Sequence, residues 1–499
     1  MHTVRLLLAA TEYDKQIIDK RFRALSHIHN ILVSHAKKRL FCLGRHSEYQ
    51  DLKSEYAAIL KKGKRTPDDK KRKTELSCRM KAIRQSMGLS EYVFQAYIKV
   101  CARRYRKCLS SQQVQKEATR VWRGVESVLF KTSNDIHFKP CHMFSTIGGK
   151  TNTNGVKFDK DMLSIEWLGL SIPCRKQKDM SYLSESLDHP ISYCEIKRLM
   201  FPNGWHYYVI VYLKGDPPFK RRRRSKPGAI MGIDIGPSTV AAVSDTEMVL
   251  AELAPDAKNY DTSIKRLSQS MDRSKRKTNP DHYHPDGTVK KNTKDRWVYS
   301  NNYKKKQNRL KSLYRQKSAY IKQSHEILCN RLLNDSIVFV VEDMNFQALQ
   351  KRTKQTERQD EPEMVKGKLV YKYKRKRRFG ASIGNHAPAR FLTILEQKCK
   401  QAGGRLIKVN TQAFKASQYD HVTDGYKKAE LKERWKEIGG HWVQRDLYSA
   451  FLLKNTNAKG TKADRESCIC GFETFLSLQE QQIKQMKENG ITKKSCFGF

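Results

Sequence analysis

Two common features are missing from this sequence. None of its 12 cysteines falls in a Cys-x-x-Cys pair, and no apolar run approaches the ~20 residues that a membrane-spanning helix needs. The first absence argues against a zinc ribbon. No secretory leader pattern occurs near residue 1, so we expect free thiols in a reducing cytoplasm rather than a disulfide framework. The second absence argues against a membrane partner.

Several enzyme signatures are also absent. The chain has no His-Glu-x-x-His, no Gly-x-Ser-x-Gly and no phosphate-cradling Gly-x-x-x-x-Gly-Lys-Ser/Thr. These absences argue against a zincin protease, an α/β-hydrolase and a P-loop NTPase. The tightest cysteine spacing, Cys468 to Cys470, has one later cysteine, Cys496, and we interpret these residues as free thiols.

Acidic residues are scarce relative to basic ones. The 98 Lys and Arg residues outnumber the 51 Asp and Glu residues, which gives a net charge of +47 at pH 7. Such a balance is typical of proteins that bind nucleic acid. Charge alone leaves open a ribosomal or scaffold-like RNA binder beside an enzyme that acts on nucleic acid. A length of 499 residues predicts about two to four domains.

Three of the scarce acids stand in unusual places. Asp234 lies in the apolar run of residues 231–236, and Glu342 ends the apolar run of residues 338–342. Such runs are typical of buried strands, where an ionised side chain is costly unless it binds something. Asp446 begins a predicted helix, where the alternative role of an Asp is helix capping.

These acids suggest hard-metal chemistry. Carboxylates make an all-oxygen site suited to Mg²⁺ or Mn²⁺. Two metals about 4 Å apart can activate water and neutralise the leaving oxygen in phosphodiester hydrolysis. Asp234, Glu342 and Asp446 are therefore the candidate catalytic residues and metal ligands, with Asp343 competing for the role of Glu342. They are separated by about 100 residues each, so only folding can unite them.

Three basic segments are candidate nucleic-acid contacts. The four consecutive arginines Arg221, Arg222, Arg223 and Arg224 are predicted to act as a phosphate clamp or as a solvated tether. Short basic runs of this kind also match nuclear-targeting signals by chance. A basic helix is predicted from about 301 to 333, and its candidate contacts are Lys304, Lys305, Lys306, Arg309, Lys311 and Arg315. The charged stretch 350–378 carries Lys374, Arg375, Arg377 and Arg378 among aromatic residues. This mixture is typical of a segment that binds single-stranded nucleic acid or of a surface loop.

The N-terminal part predicts a helical lobe inserted into a β-rich region. Residues 2–8 alternate as a strand, and residues 10–130 show helical periodicity, with Ser90 and Ser110 as helix caps. Residues 61–75 are expected to be an exposed turn. Residues 136–215 contain short β-prone runs, and we expect a small barrel that includes the first strand.

The second half predicts an α/β domain. Strands are expected at 229–235, 240–243, 337–341 and 406–409, and a polar loop at 272–296. Helices are expected from Pro388 and from Asp446.

The three acidic motifs also carry a family resemblance. Residues 232–236 resemble the first RuvC motif, residues 341–345 the second, and residues 445–450 the third. The chain resembles TnpB proteins, which are transposon-encoded RNA-guided nucleases related to compact type V CRISPR effectors. The resemblance covers most of residues 195–453. It implies an RNase H-like nuclease domain, Mg²⁺, a guide RNA and a double-stranded and single-stranded DNA target beside a short flanking motif. It also implies a bacterial cytoplasm, with the protein associated with the nucleoid.

The resemblance implies a multidomain α/β fold with a β-barrel and a helical lobe, whose nuclease domain has a mixed sheet. The expected domains are a wedge-like barrel (1–9 and 132–220), a helical recognition lobe (10–131), a basic linker (221–228), a RuvC-like nuclease (229–410 and 441–455), a zinc-free target-strand loading insert (411–440) and a tail (456–499).

One departure from the family is clear. Members usually carry a four-cysteine zinc ribbon between the second and third motifs, and residues 411–440 contain no cysteine. We expect a helix-prone, zinc-free insert with Tyr426, Leu431 and Trp435 available for packing. Two other functions stay open: an unguided RNase H-like nuclease or transposase, and an RNA-guided DNA-binding repressor.

Overall fold

The chain divides into two units, Met1–Lys220 and Arg221–Phe499. The computed structural model describes residues 1–62, 66–130, 132–176, 180–218, 229–285, 287–290, 295–350, 361–365, 368–370, 379–427, 430 and 433–499. Among the predicted nucleic-acid contacts, Arg221, Arg222, Arg223, Arg224, Lys374, Arg375, Arg377 and Arg378 lie outside the described residues.

The helices of the first unit have well-defined starts. They are α1 (Glu12–Gly44), α2 (Ser47–Lys61), α3 (Pro67–Ser86), α4 (Glu91–Cys101), α5 (Ser111–Leu129) and α6 (Ser181–Leu187). The Ser90 side chain accepts a hydrogen bond from the Val93 N–H, and Ser110 forms a capping box with Gln113. The two predicted caps are therefore confirmed.

The strands of the first unit form two antiparallel sheets. They are β1 (His2–Leu7), β2 (Thr146–Gly148), β3 (Val156–Asp159), β4 (Ser164–Trp167), β5 (Leu170–Pro173), β6 (Ile191–Phe201) and β7 (Gly204–Leu213). The strand orders are β1-β7-β6-β2 and β3-β4-β5. Because β1 pairs with β7, helices α1–α5 are inserted between two paired strands, as predicted. Neither sheet closes on itself within the described residues, so the barrel is not confirmed.

The second unit alternates strands and helices. Its strands are β8 (Ile230–Ile235), β9 (Thr239–Val243), β10 (Met248–Glu252), β11 (Val338–Glu342), β12 (Glu363–Val365), β13 (Lys368–Val370), β14 (Arg405–Val409), β15 (Tyr419–Asp420), β16 (Gly425–Tyr426), β17 (Trp435–Ile438) and β18 (His441–Gln444). Its helices are α7 (Asn259–Thr278), α8 (Asn301–Asp335), α9 (Phe346–Gln350), α10 (Gly380–His386), α11 (Pro388–Gln401), α12 (Thr411–Phe414), α13 (Arg445–Lys454), α14 (Arg465–Glu488) and α15 (Lys494–Phe497).

A mixed sheet organises this unit. Its order is β10-β9-β8-β11-β14, with β8, β11 and β14 parallel and β8, β9 and β10 antiparallel. Both faces of β11 are buried: Phe339 and Val341 pack in one core with α8 and α11, and Val340 packs in another with α13 and α14. A continuous apolar run correctly predicted this central strand.

Two expected loops are partly helical. The predicted turn at 61–75 is wrong, because Thr66 caps α3 and Pro67 occupies its first turn, which suits both residues. The predicted loop at 272–296 begins too early, because α7 continues to Thr278. Ile264 and Met271 form the buried face of α7, and most of the polar residues of this helix face solvent.

The tail after 455 is part of the second unit and packs against its core. Helix α14 contacts β10 and β18, and Cys468, Phe472 and Phe475 are buried in the same core as α13.

Candidate active site

The two strand acids are neighbours across β8 and β11. Ile233 pairs with Val341 in the parallel register, so the next residues, Asp234 and Glu342, stand opposite each other. Adjacent strands are about 4.8 Å apart, and side chains alternate between the faces of a sheet. Because Ile233 and Val341 belong to the core with α8 and α11, Asp234 and Glu342 share the opposite face.

Helix α13 covers that face and brings the third acid. A methyl group at Gly232 would overlap the backbone of Ala450 and Lys454, so only glycine lets α13 cross β8 this closely. Asp446 lies four residues before Ala450 and therefore on the same side of the helix, one turn nearer its N-terminus.

The charges of the three acids act on one another. Burial holds the pKa of Asp234 well above its usual range, and the carboxylates of Asp446 and Glu342 raise that pKa further. Arg445 and Arg434 oppose this effect. Burial also raises the pKa of Glu342, although its Oε1 accepts a hydrogen bond from the Ala416 N–H at 3.2 Å.

Two arginines hold Asp446. The Arg434 guanidinium donates to Oδ2 of Asp446 at 3.1 Å, and Arg445 donates to Oδ1 from Nε at 3.2 Å and from its terminal nitrogen at 3.1 Å. Neither arginine was predicted from the sequence to have a role at this site. The alternative role of Asp446 as a helix cap is excluded, because the Gln444 side chain accepts from the Leu447 N–H and caps α13. Asp446 instead lies in the first turn, where the helix dipole favours a negative charge.

The donor set suits a hard divalent cation, but the three acids do not form a closed cage. Within the described part of the chain, no group of three or more His, Cys, Asp or Glu side chains is placed to hold one metal ion. Asp234 and Glu342 offer carboxylate oxygens of the kind that Mg²⁺ prefers. Oδ1 of Asp446 accepts two hydrogen bonds from Arg445 and Oδ2 accepts one from Arg434, so Oδ2 keeps a lone pair with which Asp446 could join them.

Asp343 lies apart from this group. It is exposed, its N–H donates to the Val409 carbonyl at 2.9 Å, and it lines a cavity of about 690 Å³ together with Asn345 and Asn410. In the β11 alternation it follows Glu342 and therefore points away from the face that carries Asp234. This geometry favours Glu342 over Asp343 as the partner of Asp234.

The predicted contacts on α8 lie on its solvent side. Lys304, Lys305, Arg309 and Lys311 are exposed, and Lys306 and Arg315 are half-buried. The Lys306 ammonium donates to Ser270 Oγ at 2.6 Å across a groove of about 560 Å³ between α7 and α8. Arg273 and Lys277 of α7 line the same groove. Neither was predicted as a contact, because residues 272–296 were expected to form a loop.

In the described residues of the insert at 411–440, the short α12 is the only helix. The insert contains the hairpin of β15 with β16 and the first strand of a second hairpin, β17 with β18, whose second strand begins at His441. Gly439 and Gly440 both have positive φ, 56° and 80°, which suits the two-residue turn between β17 and β18. This pair of adjacent glycines is the sequence signal for the hairpin that the prediction of a helix-prone insert overlooked. Trp435 donates to the Gly498 carbonyl at 3.3 Å, whereas Tyr426 is exposed and Leu431 lies outside the described residues.

We predict that the purified protein contains no stoichiometric zinc. Burial raises the pKa of the Cys468 thiol to about 12, so this thiol is neutral and a poor zinc ligand. Elemental analysis of the purified chain should give far less than one zinc per molecule. One zinc per chain, lost in a Cys468→Ser, Cys470→Ser double variant, would contradict the prediction.

Comparisons with known proteins give distant structural likenesses, two of which are described below. No family model matches the chain, and no curated protein matches it. A solved structure described as the cryo-EM structure of a Cas12f1-sgRNA-target DNA complex has a TM-score of 0.45 at 11% identity, covering 92% of this chain and 99% of the other. A CRISPR-Cas12f ternary complex has a TM-score of 0.25 at 12% identity, covering 93% and 100%. A search for membrane spans finds no described helix that is both long and apolar enough to cross a bilayer.

Proposed function

We propose that this chain is an RNA-guided DNA endonuclease that cleaves DNA beside a short flanking motif. The observation that carries the proposal is the in-register placement of Asp234 and Glu342 beneath the first turn of α13, which bears Asp446. Clustered carboxylates that repel one another are costly unless a cation binds them. The net charge of +47 supports a nucleic acid as the substrate.

The proposed chemistry is two-metal phosphodiester hydrolysis of the RuvC type. Asp234 and Glu342 would hold Mg²⁺ or Mn²⁺, with Asp446 as the third ligand through the lone pair that remains on its Oδ2. The metal would supply an activated water and charge neutralisation at the leaving oxygen. Arg434 and Arg445 offset the negative charge of Asp446 before the metal binds.

We further propose the division of labour that the family resemblance implies. The sheets of residues 1–9 and 132–220 and the helices of residues 10–131 would hold the guide RNA and duplex DNA. Residues 229–410 and 441–455 would form the RNase H-like nuclease domain, and the mixed sheet with its covering helix α13 supports this assignment. The insert of residues 411–440 would load the target strand, and the groove between α7 and α8 would follow a phosphate backbone.

An RNA-guided DNA-binding repressor is the second candidate. The observation in its favour is that both oxygens of Asp446 are engaged by arginines, which makes this carboxylate less available to a metal. A repressor would bind guide RNA and target DNA and would not cut in any divalent metal.

The test is copurification with one structured RNA. A chain this basic binds any nucleic acid at low salt, so the complex should be washed at about 0.5 M salt, where non-specific phosphate contacts are largely lost. We expect one dominant RNA with a constant scaffold and a variable guide segment, and cleavage that follows the guide when it is changed.

Two other outcomes separate the alternatives. RNA that is heterogeneous and washes away, together with DNA cutting in its absence, would favour the unguided nuclease or transposase. Guided binding without cleavage in Mg²⁺ or Mn²⁺ would favour the repressor.

A further inference from the structure

A small cavity in the first unit has an apolar floor. It lies between the end of α4 and the start of α5, has a volume of about 210 Å³, and is floored by Ala102, Leu109 and Val114. Leu109 and Val114 are buried, so the floor is fixed by the core of the unit. Small-molecule cavities are usually about 300–1,000 Å³. This cavity therefore has room for one ring system rather than for a whole cofactor.

The rim of the cavity is cationic. Lys99, Arg103 and Arg106 line it, are exposed, and form no ion pair with any residue that the structure describes. Arg103 follows Lys99 by four residues, and Arg106 follows Arg103 by three, on α4 and the 3-10 turn that continues it. Residues with this spacing lie on one side of a helix. None of the described lining residues is acidic. Three unpaired cations around one opening favour an anionic ligand.

Two amide side chains give the cavity a donor and an acceptor. Gln95 uses its NH₂ group on Glu91 Oε1 at 2.9 Å and on Thr119 Oγ1 at 3.3 Å, which leaves its oxygen as an acceptor. Gln115 accepts from the Lys150 ammonium at 3.2 Å, which leaves its NH₂ group as a donor. A donor and an acceptor beside an apolar floor match the edge and face of a nucleobase.

We propose that this cavity receives one unstacked nucleobase of a bound single strand, with the flanking phosphates held by Lys99, Arg103 and Arg106. The chemistry is common to RNA and DNA, because both offer a planar base between two phosphates. This proposal rests on one part of the proposed function, namely that the chain binds nucleic acid. It does not depend on cleavage.

The chain offers a charge-matched control for this site. Arg104 and Lys107 are exposed residues of the same segment and do not line the cavity. The test compares an Arg103→Ala, Arg106→Ala double variant with an Arg104→Ala, Lys107→Ala double variant in the full chain. Both lose two positive charges, so their non-specific losses should match.

Affinities should be measured by fluorescence anisotropy with labelled single-stranded RNA and DNA at about 0.15 M salt. We expect the cavity variant to lose at least about tenfold in affinity and the control about threefold or less, because burial of the base on the apolar floor and the local phosphate contacts act together. The strand with the larger difference identifies the source of the base. An Ala102→Phe variant, which fills the cavity without changing charge, should lose affinity to a similar extent, with thermal unfolding checking that it folds.

Three outcomes would overturn the assignment. Equal losses for the two double variants on both RNA and DNA would remove the cavity as a site. A difference that persists on an abasic phosphodiester strand would show that no base enters it. Failure of the wild-type chain to bind either strand would overturn both the cavity and the proposed function, whereas the first two outcomes leave the proposed function untouched.

Discussion

Replacing Asp234 by alanine is expected to reduce guided DNA cleavage by at least about a thousandfold, which corresponds to about 4 kcal/mol of transition-state stabilisation. The reason is that Asp234 lies opposite Glu342, and the charges of Glu342 and Asp446 both raise its pKa. Asp234 is therefore the central candidate ligand. RNA retention should remain near that of the wild type, because the side chain is turned to the face covered by α13. Cleavage at the wild-type rate would overturn the assignment.

A second measurement on the same position separates metal binding from folding. The raised pKa of Asp234 means that its folded state holds a proton more tightly than the unfolded chain, whose Asp pKa is about 3.9. The wild type therefore loses stability as pH rises from about 4 through that raised pKa. Asp234→Asn should raise the thermal unfolding midpoint near pH 7 without metal and have little effect near pH 4.

Magnesium should reverse that difference. A cation that binds only the folded protein raises its stability in proportion to occupancy, so Mg²⁺ should stabilise the wild type more than Asp234→Asn. Asp245→Asn is a suitable control, because Asp245 is exposed and forms an ion pair with Lys454. It is not one of the three candidate metal ligands. An equal magnesium effect in all three proteins would count against a metal at Asp234.

Glu342→Gln is expected to abolish cleavage, whereas Asp343→Asn should leave it within about twofold of the wild type. Glu342 shares a sheet face with Asp234, and the adjacent Asp343 is exposed and lines a different cavity. The two variants remove equal charge one residue apart, so non-specific electrostatics should affect them alike. Cleavage rates with the same guide and target would decide between them, and a lethal Asp343→Asn would show that the second motif is assigned one residue too early.

Sequence alone was a good guide to the elements. The caps at Ser90 and Ser110 and the central strand at 338–342 are encoded by a few adjacent residues, so their signals are complete within a short window. The predictions of a turn at 61–75 and of a loop from residue 272 were less accurate, because dense charge in both segments resembled a loop. In the structure, Thr66 and Pro67 begin helix α3 in the first segment, and helix α7 continues to Thr278 in the second. A charged helix needs only a narrow buried stripe, which composition does not reveal.

The candidate acids were predictable one at a time. Asp234 was the clearest, because an acid inside an apolar strand carries a cost that is visible in the sequence. Their mutual arrangement was not predictable, because it depends on the parallel register of β8 with β11 and on the close crossing of α13 over Gly232.

The sequence by itself determined the scarce acids, the excess of cations, the absence of paired cysteines and most strands and helices, because each of these is local or additive. Only the tertiary structure decided that Arg434 and Arg445 hold Asp446, that the insert forms hairpins, and that three cations surround an apolar cavity beside α5. Those arrangements join residues from separate elements. The energy that fixes them comes from packing and charge in the folded chain, and no short window of sequence contains it.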